Sequence, residues 1–128
     1  LLRNSYRRCL AINKEFISDF YSQFLTGLPE ADREHFSNRG RQHTMLQMAM
    51  DILIDLDQKE DLFRQLLGHN KHQQFSAAEY ERFLDVFIAL VRQNDQKNWN
   101  EATEQTWMAM REKAMKIVRE MLKPTPGS

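Results

Sequence analysis

The stretch LGHNKHQQFSAAEYERFLDVFIALV, residues 67–91, carries the most information about the fold. Within it Ser76-Ala77-Ala78-Glu79 is a capping box, in which the serine hydroxyl accepts from a first-turn N–H and the glutamate carboxylate reaches back to the cap. Phe83, Leu84, Phe87, Leu90 and Val91 then recur at the three- and four-residue spacing of one helix face, which predicts a helix over 77–93. Upstream of the box the chain ends another helix and sets two imidazoles, His69 and His72, three apart at the corner. Imidazoles there are either solvated residues, where a protonated ring suits the helix dipole, or ligands.

Outward from that corner, Gly and Pro are few and fall between periodic segments, which divides the chain into helices. Segment 2–13 predicts a short helix with Tyr6 and Leu10 inward. Segment 14–26 predicts a second, with Phe16, Ile17, Phe20 and Phe24 on one face and Gly27 as its stop. Pro29 stands where a short helix over 29–36 begins, and Ser37-Asn38-Arg39-Gly40 reads as loop. Met45, Met48, Ala49, Ile52 and Leu56 mark the buried stripe of a helix over 40–56. Asp57 to Glu60 is a second capping box, and Asn100 is placed to cap a last long helix. In that helix Trp107, Met110, Ala114, Ile117 or Val118, and Met121 face inward. With no hairpin signal anywhere, the fold class is all-α, six or seven helices of unequal length. Such lengths with short corners argue against a matched up-and-down bundle and for helix pairs crossing steeply.

Composition sets the outer bounds. The 128 residues fit one domain over 1–122, and the final KPTPGS, 123–128, is set aside as a tail or linker. Lys+Arg and Asp+Glu balance at 18 each, so no global field exists to hold a phosphate backbone, and no nucleic-acid partner is expected. One cysteine, Cys9, cannot form an internal disulfide, which favours a reducing compartment; the expected location is the cytoplasm. No apolar run approaches the roughly 20 residues that span a bilayer, so no membrane role is expected.

Taken in order, DFYSQFLTGLPE (19–30), HF (35–36), RQHTMLQMAMDIL (41–53), the 67–91 stretch and TEQTWMAMREKAMKIVREM (103–121) resemble successive helices of bacterial single-domain globins. The resemblance runs from Ser5 to Met121 and rests on five weak matches in the right order. It implies a globin-like fold around haem b (iron protoporphyrin IX), whose axial ligand is a neutral imidazole in an apolar pocket. His69 is then the proximal ligand, because HNK followed by YERFLD resembles a bacterial globin pattern with one deletion in the corner. His72 is the alternative: KHQQF matches the K-H-x-x-F of flavohaemoglobins but needs a corner two residues shorter. On the distal side Tyr21 and Gln42 match the tyrosine and glutamine that face the gas, with Leu46 as an apolar wall one turn on. His43 is the rival to Gln42 if that helix slips by one residue, and Phe36 matches the phenylalanine wedged against the porphyrin. A bound dioxygen carries partial negative charge, so a phenol O–H and an amide N–H are useful donors, each contributing roughly 1.5–3 kcal/mol if well aimed. Two features depart from the pattern: the corner between Pro29 and Phe36 is one residue longer than in flavohaemoglobins, and the loop before Gln42 is short. Trp107 resembles the tryptophan of a globin Ala-Trp pair, with Thr106 for the alanine, and reads as core.

Other metal readings are weaker. His69-x-x-His72 lacks cysteine or carboxylate partners at zinc spacing, and a di-iron bundle wants two Glu-x-x-His pairs where this chain offers one Asp32-x-x-His35. The expected function is reversible binding of a diatomic gas, dioxygen or else nitric oxide or carbon monoxide, for storage, scavenging or sensing. These 128 residues have no room for flavin and nicotinamide domains, so nitric-oxide dioxygenation or peroxidase-like chemistry would need an external reductase. Two alternatives stay open: a haem-free globin-like module that binds a partner protein, and the sensor domain of a longer signalling protein. The chain is expected to be a monomer or a homodimer.

Overall fold

The computed structural model describes residues 2–26, 39–70 and 77–122, the side chains of 39–45, 69 and 70 excepted, and among them are six α-helices and a 3-10 turn. They are α1 (Leu2–Ile12), α2 (Phe16–Thr26), α3 (Arg39–Leu53), α4 (Leu56–Asn70), α5 (Ala77–Asn94), the 3-10 turn Gln96–Asn98, and α6 (Glu101–Met121). Among the described residues there is no strand, so the all-α expectation holds. The expected helix 29–36, the stop at Gly27, the cap at Ser76 and the 123–128 tail lie outside the described residues.

Local chemistry sets the corners. Asn13 closes α1 by donating its N–H to the Cys9 carbonyl at 2.8 Å, and its side-chain oxygen accepts from the Glu15 N–H at 3.0 Å. That asparagine turn postpones α2 to Phe16, two residues later than the spacing predicts. At the start of α6 the Asn100 side chain accepts from the Thr103 N–H at 2.8 Å, the cap expected of it.

Four expectations in the middle of the chain need correction. Arg39 and Gly40 are helical and belong to α3, not to a loop. The helix over 40–56 is two helices, because the chain turns at Ile54-Asp55 and Leu56 already opens α4. The Asp57–Glu60 box does not start α4: Lys59 departs from helical backbone angles, and the Asp57 carboxylate accepts from Lys113 Nζ of α6 at 2.7 Å instead of capping. The stripe of α3 is borne out only in part: Ile52, and Leu56 beyond the turn, are buried as expected, and Met48 is not. Met48 is 51% exposed, whereas Leu46, Met50, Ile52 and Leu53 are buried. The cause is tertiary: α3 packs against both α2 and α4, so two neighbours, not one, choose its buried faces.

The pairing is non-sequential. Besides neighbours in the chain, α2 and α1 both pack on α5, α4 packs on α6, and α1 also reaches α6. The described helices are also of unequal length, from 11 to 21 residues. Phe87 of α5 stands where α1, α2, α5 and α6 converge, with its ring edge-on to Tyr6 (centroids 5.7 Å), Phe16 (6.4 Å), Phe20 (6.4 Å) and Trp107 (5.3 Å). Edge-to-face contacts of this kind add to area burial and fix orientation, since each ring edge must meet a ring face. The faces read from α2, α5 and α6 are the buried ones, with Trp107 fully buried, except that Phe83 and Met121 are only partly buried against the core.

Candidate functional site

Of the residues that sequence assigns to a pocket, Tyr21 and Leu46 are described with their side chains. Both are buried members of the main core cluster, Tyr21 on α2 and Leu46 on α3. Gln42 and His43 lie on the helical backbone of α3, and His69 on the last turn of α4; their side chains lie outside the described residues, as do Phe36 and His72 altogether. α3 packs on α2 and on α4, so the helix bearing Gln42, His43 and Leu46 neighbours both the helix that buries Tyr21 and the helix that ends beyond His69.

One turn along α3 from Leu46, Met50 is fully buried and its thioether accepts the Tyr6 hydroxyl at 3.8 Å. Burial, with the negative charge of Asp51 and then Cys9 nearby, pushes the Tyr6 phenol above its ordinary pKa, so it stays a neutral donor. Leu46 and Met50 thus lie buried one turn apart on α3, and Met50 is tied to α1 by a weak sulfur hydrogen bond.

The C-terminal turn of α2, just beyond Tyr21, is closed by side chains. Thr26 Oγ1 donates to the Ser22 carbonyl at 2.7 Å, and from α5 Arg82 donates Nε to the Phe24 carbonyl at 3.1 Å and an Nη2 proton to the Gln23 carbonyl at 3.0 Å. Gln23 and Phe24 lie among the last four carbonyls of α2, and a cation suits that end of the dipole; the threonine bond to Ser22 is back-bonding within the helix. Phe83, next to Arg82, packs its ring edge-on to Phe20 (4.8 Å) and Phe24 (6.0 Å), so α5 holds the same turn by polar and apolar contacts.

Across the fold, Arg8 of α1 grips Asp95 in the corner after α5. Nε donates to Oδ1 and Nη2 to Oδ2, both at 2.9 Å, while Asn98 Nδ2 donates to the same Oδ1 at 3.0 Å. The Asp95 side chain is 0% exposed and that of Arg8 38%. The Arg8 hydrogen bonds hold the Asp95 carboxyl below the usual carboxylate range against the opposing effect of burial. Cys9, beside them in sequence, is fully buried and donates its thiol to the Val91 carbonyl at 3.6 Å. Burial, then the negative charge of Asp95, pushes its pKa up to about 11, which makes it a packing residue and not a nucleophile.

Sequence reading missed Arg82, Arg8 and Asp95, and no local signal marks them. Asp95 sits in the polar run Asn94–Asn98, which reads as solvated loop, and its partner is 87 residues away. Among the described residues no group of three or more His, Cys, Asp or Glu is arranged to hold a metal ion, and no helix is long and apolar enough to cross a membrane. No protein-family model, curated protein or solved structure matches the chain.

Proposed function

We propose that this chain is a globin-like unit that holds haem b and reversibly binds a diatomic gas. The observation that carries the reading is the packing of α3 against both α2 and α4. It sets the helix of Gln42 and Leu46 beside that of Tyr21 and, separately, beside that of His69, the residues on which the globin resemblance rests. The donor chemistry fits the cofactor: imidazole is a common axial ligand, a buried leucine wall excludes water, and a phenol within the core is a proton donor kept from solvent. Haem, when bound, supplies the iron at which the gas is held. The chain's own residues do the rest: His69, with His72 as its alternative, binds the metal; Tyr21 and Gln42 donate to the gas; Leu46 limits its space; Phe36 packs on the porphyrin. His43 takes the place of Gln42 if α3 presents the neighbouring residue.

The test is a haem titration followed by absorbance. One-to-one binding with a Soret band is expected, lost in His69→Ala and kept in His72→Ala. The reverse pattern moves the ligand to His72. Retention by both single variants removes this site. No uptake by the parent leaves the haem-free, partner-binding module as the better reading.

A further inference from the structure

Arg82 bonds two α2 carbonyls from a different helix, and those carbonyls belong to the two residues that lie two and three positions beyond Tyr21. Thr26 closes a third carbonyl of the same turn from within, at Ser22, so three successive carbonyls, 22 to 24, accept from side chains. We propose that Arg82 is a positioning residue: by closing the last turn of α2 it holds the Tyr21 phenol in the orientation from which it donates to the bound gas, an inference that rests on the haem reading above.

The physical argument starts from fraying. A helix end whose carbonyls lose donors opens at lower cost, and opening spreads back one turn at a time. Tyr21 lies within one turn of Phe24 and Leu25, so loosening at those carbonyls reaches its backbone. The guanidinium prevents this with a rigid fork that presents two parallel donors, which one ammonium group does not reproduce. Phe83, the next residue of α5, packs its ring against Phe20 and Phe24, so α5 is held against the turn that Arg82 reaches. A donor that must meet a small ligand at hydrogen-bond distance loses much of its effect when its anchor swings by a fraction of an ångström. The arginine therefore acts on the gas through tyrosine and makes no contact with it.

Two measurements on Arg82→Met, which keeps the apolar stem, and on Arg82→Lys test this. The first needs no haem: amide hydrogen exchange across 21–26 should be faster in Arg82→Met than in the parent, with exchange in α6 unchanged. The second is stopped-flow gas release from the haem-loaded chain. Oxygen release should quicken about three- to tenfold in Arg82→Met, and less in Arg82→Lys, with carbon monoxide release unmoved. In a Tyr21→Phe background Arg82→Met should add nothing, because its effect runs through the missing hydroxyl. Arg92→Met, which breaks the exposed pair with Glu104 at the far end of α5, should leave both gases unchanged. Additive effects of Arg82 and Tyr21 substitutions, or equal exchange across 21–26 in parent and Arg82→Met, would overturn the proposal while the haem reading stands. Failure of the parent to take up haem would overturn both.

Discussion

The Arg8–Asp95 pair offers a sharp test of how burial apportions the cost of breaking an ion pair. Its two partners are unequally buried: the carboxylate is 0% exposed and the guanidinium 38%. Arg8→Met leaves a buried carboxylate with Asn98 Nδ2 at 3.0 Å and Ser5 as its remaining donors. Removing one partner of a buried pair costs about 3–5 kcal/mol, and the lower end applies here because water reaches the pair along the arginine side. Asp95→Ala leaves a guanidinium that already has one side in solvent and can turn outward. It loses two charge-assisted hydrogen bonds, a net cost of about 1–2 kcal/mol after discounting for screening. Arg8→Met should therefore be the more damaging substitution by about 1–2 kcal/mol. Urea unfolding followed by circular dichroism should show both midpoints lowered, in that order, with an unchanged denaturant slope. Acid adds a second arm. The folded Asp95 carboxyl is held below its unfolded value of 3.8, so its contribution is complete above that value and is lost as pH falls through the lower folded one. The gap between parent and either variant should thus be constant near neutrality and narrow in acid. Asp95→Ala costing as much as Arg8→Met, or a gap that persists at low pH, would refute the argument from unequal burial.

Tyr21→Phe removes a hydroxyl without opening a cavity; loss of about 1.5–3 kcal/mol of hydrogen bonding should speed oxygen release by about ten- to a hundredfold and leave carbon monoxide release nearly unchanged in stopped-flow displacement. Gln42→Leu should act in the same direction but more weakly, since a longer side chain loses more entropy when ordered; a larger effect in His43→Leu would place His43 in the distal role. Asn100→Ala should lower stability by about 1 kcal/mol in thermal unfolding, and Asn100→Asp should not, because a carboxylate keeps the bond to the Thr103 N–H and suits the start of α6. Cys9 should be inert to a disulfide reagent at neutral pH in the native chain and titrate as one thiol after unfolding, since it is fully buried and its pKa is pushed up to about 11; native reaction at the rate of a free thiol would show that α1 opens readily.

What the sequence determined by itself is everything that a single helix can decide. The spacing of Phe16, Ile17, Phe20 and Phe24, and of Leu84, Phe87, Leu90 and Val91, names the buried face because α2 and α5 carry long, strongly segregated stripes. Asn100 as a cap was equally legible, since the bond it makes spans only three residues. Of the candidate site, Tyr21 and Leu46 are buried core residues, while the side chains of Gln42, His43 and His69, and all of Phe36 and His72, lie outside the described residues. Tertiary structure decided the rest. Periodicity says that α3 has an apolar side but not how many neighbours it serves, and packing on both α2 and α4 buries Leu46 and Met50 while leaving Met48 in solvent. Asp57 has the pattern of a cap, yet Lys113, 56 residues on, competes for its carboxylate and the helix starts elsewhere. Arg8 with Asp95 and Arg82 with the end of α2 join residues 87 and 58 to 59 apart. Such pairs leave no trace in a local pattern, because a charge finds its partner through the fold that brings the two together.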